Sequence, residues 1–169
     1  KPGNYWHLFP TYQQARKAVW EAIDIDGNRI INKLFPLEIR RSTNNQEMKI
    51  ELKNPKEPDN PDAPGSFWQL VGADKIDTLV GANPCGVIFS EFSLTNPTSW
   101  DFIRPILKAN KGWAIFIFTP RGHNHGWHLY NMAKQNPHWF CSFKTIEDTK
   151  VLSEQDIEEE RQSGMPEDK

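Results

Sequence analysis

The chain reads as an α/β protein with a mainly parallel sheet covered by helices on both faces and one β-hairpin. Three observations predict this. Strand-like runs alternate with segments of helical periodicity; two of the runs, CGVIFSE and GWAIFIF, are apolar nearly throughout; and a third pair, MKIELK and SFWQLVG, alternates apolar and polar residues with period two. A continuously apolar strand is one buried on both faces, and that is the habit of parallel sheets.

Taken in order, NYWHLFP (Asn4–Pro10) predicts a strand stopped by proline, and TYQQARKAVWEAI predicts a helix presenting Ala15, Val19, Ala22 and Ile23 on one face. The DGN triplet at Asp26–Asn28 ends it. Met48–Lys53 and Ser66–Gly72 predict the arms of the hairpin. Between them residues 54–65, with prolines at 55, 58, 61 and 64, cannot continue a ladder and are expected to form an exposed, mobile insertion. A short polar turn or helix is expected around Ala73–Leu79, then the strand CGVIFSE. Pro97–Asn110 carries Trp100, Ile103 and Leu107 at i, i+3 and i+7, predicting a helix disturbed near Pro105. GWAIFIF is the next strand, residues 123–135 a helix, HWFCSFK (His138–Lys144) a further strand, and Ser153 with Asp156 the capping box of a last helix within a helical segment 145–169.

The chain has 169 residues, which predicts one domain, and a net charge of −2, which supplies no global basic field for nucleic acid. Its two cysteines, Cys85 and Cys141, lie in apolar runs, so a disulfide framework is not expected and a reducing compartment is. No apolar run reaches the roughly 18 residues of a membrane span, and the start KPGNYW has neither an initiating Met nor a signal-peptide pattern, as expected of a piece of a longer protein.

In open parallel sheets ligands bind beyond the carboxyl ends of the strands, where Ser90, Glu91 and Thr119 are expected to emerge. A carboxylate so placed can take a proton from an attacking water, and a neighbouring hydroxyl can hold the water shell of a nucleotide-bound Mg²⁺ or orient a phosphate. The histidines 123, 125 and 128 of HNHGWH do not stack on one helical face at i, i+2, i+5, so a helix-start or loop role is favoured over zinc. Most of the seven tryptophans fall at core-facing positions; Trp68 and Trp127 are the two whose exposure would allow base stacking. Arg40 and Arg41 read as solvated charge rather than a phosphate contact. A serine hydrolase is excluded because Ser90 lacks a G-x-S-x-G context. A metal-dependent nuclease using Asp74, Asp77, Glu91 and Asp101 remains open, as does a non-catalytic assembly or DNA-binding module.

The ordered segments YWHLFPTYQQARKAVW, FWQLVGADKIDTLVGANPCGVIFSEFSL, SWDFIRPIL and GWAIFIFTPRGHNHGWHLY, together spanning roughly Tyr5 to Tyr130, resemble the ATPase domain of phage terminase large subunits, the motors that package DNA into tailed-phage heads. The resemblance implies a P-loop ATPase fold with an extra strand between the Walker A and Walker B strands. GVIFSE matches Walker B and FTPRG the coupling motif. It further implies Glu91 as the water-activating carboxylate, Ser90 at the position where many P-loop ATPases place an Asp beside Mg²⁺, Thr119 as the residue relaying the γ-phosphate state, and Arg121 and Arg104 as candidate phosphate-sensing cations. Relatives often carry Arg before the Gly of DTLVG, where Val80 stands. No G-x-x-x-x-G-K-[ST] occurs, so the first, P-loop strand is expected to be missing and residues 1–169 to be a partial ATPase domain that alone neither holds ATP and Mg²⁺ tightly nor hydrolyses ATP. For the intact protein the resemblance implies Mg²⁺ and ATP as cofactors. Its implied partners are double-stranded DNA, the portal protein and the terminase small subunit, with no membrane. It also implies oligomers only at full length, a downstream nuclease domain, and a location in the cytoplasm of the infected or lysogenic host.

Overall fold

In the computed structural model, which describes residues 2–79 and 81–164, a six-stranded sheet runs in the order β2-β3-β4-β1-β5-β6. The strands are β1 (Asn4–Phe9), β2 (Arg40–Asn44), β3 (Lys49–Leu52), β4 (Ser66–Gly72), β5 (Pro84–Ser90) and β6 (Trp113–Ile117). β1 pairs in parallel with β4 and β5, and β5 in parallel with β6, while β2, β3 and β4 are antiparallel. The expected hairpin is therefore present as β3–β4. β2 was not legible, because RRSTN offers no apolar alternation for a buried face.

The chain divides into two compact units, Lys1–His128 and Leu129–Lys169. In the first, helices cover both sheet faces. On one, α1 (Tyr12–Ala15), the π-helical turn Arg16–Trp20 that continues it, and α2 (Ile30–Leu34) close a core of Phe9, Ala15, Val19, Trp20, Ile31, Met48, Ile50, Trp68 and Leu70. The helix ends with this π turn at the buried Trp20, so Ile23, expected on the apolar face, lies beyond it in an isolated bridge with Arg29 and is exposed. On the other face α3 (Thr98–Asn110) sets Ile103 and Leu107 in the core, as its spacing predicts, with Pro105 accommodated inside. There Phe89 of β5 lies parallel to Phe116 of β6 at 4.9 Å between ring centres, and Trp100 of α3 meets both edge-on.

Coverage stops short at β6. Trp113, Ile115 and Ile117 share its uncovered side and are each close to half exposed, at 45, 46 and 57 %. The ring of Tyr5, stacked 6.1 Å from Trp113, partly shelters that row, and Gly86 admits the Trp113 ring because a Cβ there would sit 2.4 Å from it.

The 54–65 insertion is exposed, but it is tied down: Ala63 is buried and its carbonyl accepts from Arg41 at 2.6 Å. Arg41 also pairs with Glu51 at 2.9 Å, and Arg40 donates to the carbonyls of Phe35 and Ile31 and to Asn32. These arginines are structural struts, not the solvated charges their sequence suggests. In the second unit α5 (Ile146–Thr149) and α6 (Glu154–Gln162) each begin at a capping box, Thr145 with Asp148 and the expected Ser153 with Asp156. The strand expected at His138–Lys144 does not form. That run follows Asn136 and Pro137, joins no sheet ladder among the described residues, and leaves Phe140 and Phe143 exposed.

Phe89 is wholly buried between β6 and α3. Phe89→Ala is expected to lower unfolding free energy by about 3–5 kcal/mol in a urea titration; a loss below about 1 kcal/mol would show that the Phe89 stack does not organise the core.

Candidate functional site

The register decides what the strand ends present. Val87 pairs with Ala114, Phe89 with Phe116, and Ser90 with Ile117. Because β5 and β6 are parallel neighbours, Ser90 and Glu91 leave β5 at the same end of the sheet at which Phe118 and Thr119 leave β6. Ser90 and Glu91 are half-buried, Thr119 and Arg121 are exposed, and none is walled into hydrocarbon. Arg104 lies exposed within α3 rather than in the segments that leave the strand ends. Val80 lies outside the described residues.

Ser90 has a partner that the sequence did not disclose. His7 of β1, 83 positions away, sets its Nε2 at 2.8 Å from Ser90 Oγ. Burial pushes the His7 pKa down from 6.5 to about 4, so the ring is neutral at pH 7. One tautomer accepts the Ser90 proton and the other donates to its oxygen; either way the hydroxyl is held.

Glu91 stands in the left-handed region, at φ 55° and ψ 43°, directly before the short 3₁₀ turn Phe92–Leu94. A non-glycine residue seldom adopts this conformation, and it turns the side chain out of the strand direction. Its carbonyl accepts from Leu94 N at 2.8 Å and from the Thr95 hydroxyl at 3.3 Å.

The rival metal cluster does not assemble. Asp74 accepts from the Tyr12 amide at 3.0 Å at the start of α1, while Asp77 and Asp101 are exposed in the Ala73–Leu79 turn and the first turn of α3. Among the described residues no three His, Cys, Asp or Glu side chains come together as a metal site. His125 instead bonds the Phe92 carbonyl from the first turn of α4 (His125–Gln135). Trp68 is buried and Trp127 is 39 % exposed, so stacking on a base is open only to the second. No described helix is long and apolar enough to cross a membrane.

No protein-family model matches the chain. Among curated proteins it is 31% identical over 146 residues to the terminase large subunit of Thermus phage G20c, aligning 79% of this chain with 28% of that protein. It is 29% identical over 131 residues to the terminase large subunit of Escherichia phage T5, aligning 75% of this chain with 30% of that one. The chain thus spans under a third of the curated relatives it matches. Among solved structures, the large terminase ATPase domain of Thermus phage P74-26 superposes with a TM-score of 0.70 at 22% identity, covering 99% of this chain and 73% of that domain. A large terminase from a thermophilic bacteriophage in complex with ATP-gamma-S does so with a TM-score of 0.69 at 14% identity, covering 98% of this chain and 37% of that one.

The burial of His7 sets a pH dependence. A histidine whose folded pKa is depressed binds its proton less readily when folded, so its contribution is complete above about pH 6.5 and is lost as pH falls towards about 4. Unfolding free energy is expected to drop by on the order of 2 kcal/mol between pH 7 and pH 5, and His7→Gln should abolish that slope; a wild-type slope unchanged in the variant would refute a buried, neutral His7. The chain is thus similar in sequence to part of phage terminase large subunits and shares the fold of their ATPase domains.

Proposed function

We propose that the chain supplies the Walker B and coupling half of the ATPase site of a DNA-packaging motor. The observation that carries this reading is the β5–β6 register, which sends Glu91 and Thr119 out of adjacent parallel strands at one end of the sheet. There Glu91 acts as the base that takes a proton from the attacking water, its direction set by the left-handed backbone. Thr119, on the segment leaving β6, senses the γ-phosphate, and Arg121 two residues on is the cation best placed by the chain to follow it. Arg104, held within α3, would need an approaching phosphate from a neighbouring surface.

The donors at the rim are oxygens, a hydroxyl fixed by His7 and one carboxylate, which suit a hard cation. With no three-ligand cluster among the described residues, they fit Mg²⁺ that arrives on the nucleotide and keeps most of its waters. Bound there, Mg²⁺ would offset charge on the β- and γ-phosphates. Ser90 would then hold one of its waters, more weakly than the Asp found at this position in many P-loop ATPases.

What this sequence lacks is a Gly-rich loop ending in Lys-Ser or Lys-Thr to cradle the phosphates. The uncovered β6 row of Trp113, Ile115 and Ile117 supports the reading that a P-loop strand and its helix pack beside β6, leaving β6 between Walker A and Walker B. The larger machine then acts on double-stranded DNA with the portal protein and the small terminase subunit, in the host cytoplasm. The same uncovered row supports a second reading, an assembly module, which stable dimers or rings of this chain without nucleotide would establish.

Because phosphoryl transfer rests on positioning, this chain alone is expected to show no micromolar heat of binding for Mg·ATP in calorimetry. Fused to the P-loop segment of a terminase relative, it is expected to hydrolyse ATP. Micromolar binding by the chain alone, or an inert fusion that folds, would contradict the reading.

A further inference from the structure

The HNHGWH stretch finds its use at the opposite side of the Glu91 turn. We propose that Asn124 and His125 are positioning residues that clamp the Phe92–Leu94 turn to the first turn of α4 and so hold Glu91 in its left-handed conformation. The His125 Nε2 lies 2.6 Å from the Phe92 carbonyl, which can only accept, so this nitrogen carries the proton. The His125 ring also meets the Phe92 ring edge-on at 4.9 Å. Asn124 grips with both ends of its amide: Nδ2 donates to the Ser93 carbonyl at 3.1 Å, while Oδ1 accepts from the amides of Gly126 and Trp127 at 3.0 and 3.3 Å, capping the start of α4.

The approach is close enough to need glycine next in line. A Cβ on Gly126 would sit 2.8 Å from Ser93 Oγ and 3.0 Å from the ring of Phe118, the residue before Thr119. Phe118 in turn lies 6.0 Å from Phe92. One cluster thus joins the turn after the acid, the segment carrying the coupling threonine, and the start of α4. A left-handed glutamate is strained and persists only where its surroundings over-determine it. Two side-chain bonds to consecutive carbonyls, at Phe92 and Ser93, supply that determination immediately after Glu91.

The functional weight of the clamp rests on the reading of Glu91 as the water-activating group, whereas its existence does not, so it is tested on this chain without nucleotide. The amides of Leu94 and Thr95, bonded to the carbonyls of Glu91 and Phe92, report the turn by hydrogen exchange. Asn124→Asp keeps the oxygen that caps α4 and removes the donor to Ser93; His125→Ala removes the other bond; His125→Gln restores a donor. Exchange at Leu94 and Thr95 is expected to rise about tenfold in Asn124→Asp and His125→Ala with β5 amides unchanged, and to return towards wild type in His125→Gln. Unchanged exchange at those two amides, an equal rise throughout β5, or no recovery in His125→Gln would overturn the clamp. An inactive P-loop fusion with this exchange pattern intact would instead count against the role of Glu91.

Discussion

The stacking of Phe89 on Phe116 is the contact on which the rest depends. It locks β5 to β6 in one register, and in a sheet a slip of one residue would exchange the two faces of the strand. With the register held, the polar residues that follow each strand have no choice of exit: Ser90 and Glu91 leave beside Phe118 and Thr119. Trp100 closes over the pair from α3, so the helix that follows the acid in sequence also fixes the strand that precedes it.

Around that fixed point the molecule spends polar interactions sparingly. His7 reaches from β1 to Ser90, bringing a third strand into the rim, and its burial keeps it uncharged beside the hydroxyl. The arginines at 40 and 41 are committed to carbonyls and to Glu51, far along the sheet on the hairpin side, and stiffen the β2–β3 edge and the proline-rich insertion. The opposite edge is different in kind. β6 ends the sheet with an apolar row close to half exposed, and an edge of that composition is a surface made to be covered.

Much of this was readable in advance where burial is dictated by local pattern. The apolar runs gave β1, β5 and β6, the spacing of Ile103 and Leu107 gave the buried side of α3, and Ser153 with Asp156 marked the last helix. The failures have physical causes. Polar β2 pairs with β3, which no residue within Arg40–Asn44 announces; the helix ends at Trp20, before Ile23 could join its buried face; and HWFCSFK had the composition of a strand but joins no ladder among the described residues. At the site, the acid and hydroxyls were legible from strand ends, but the His7–Ser90 bond joins distant positions and the left-handed Glu91 is imposed from outside its own segment.

The central claim is that the shared rim of β5 and β6 places a proton acceptor where a γ-phosphate would be attacked. Single-turnover ATP hydrolysis by a fusion carrying a relative's P-loop, measured alongside nucleotide affinity for wild type and Glu91→Gln, tests it most directly. The account predicts a fall in hydrolysis of about 10²–10⁴-fold in Glu91→Gln with nucleotide affinity nearly unchanged. Hydrolysis that persists at the wild-type rate in Glu91→Gln would contradict it.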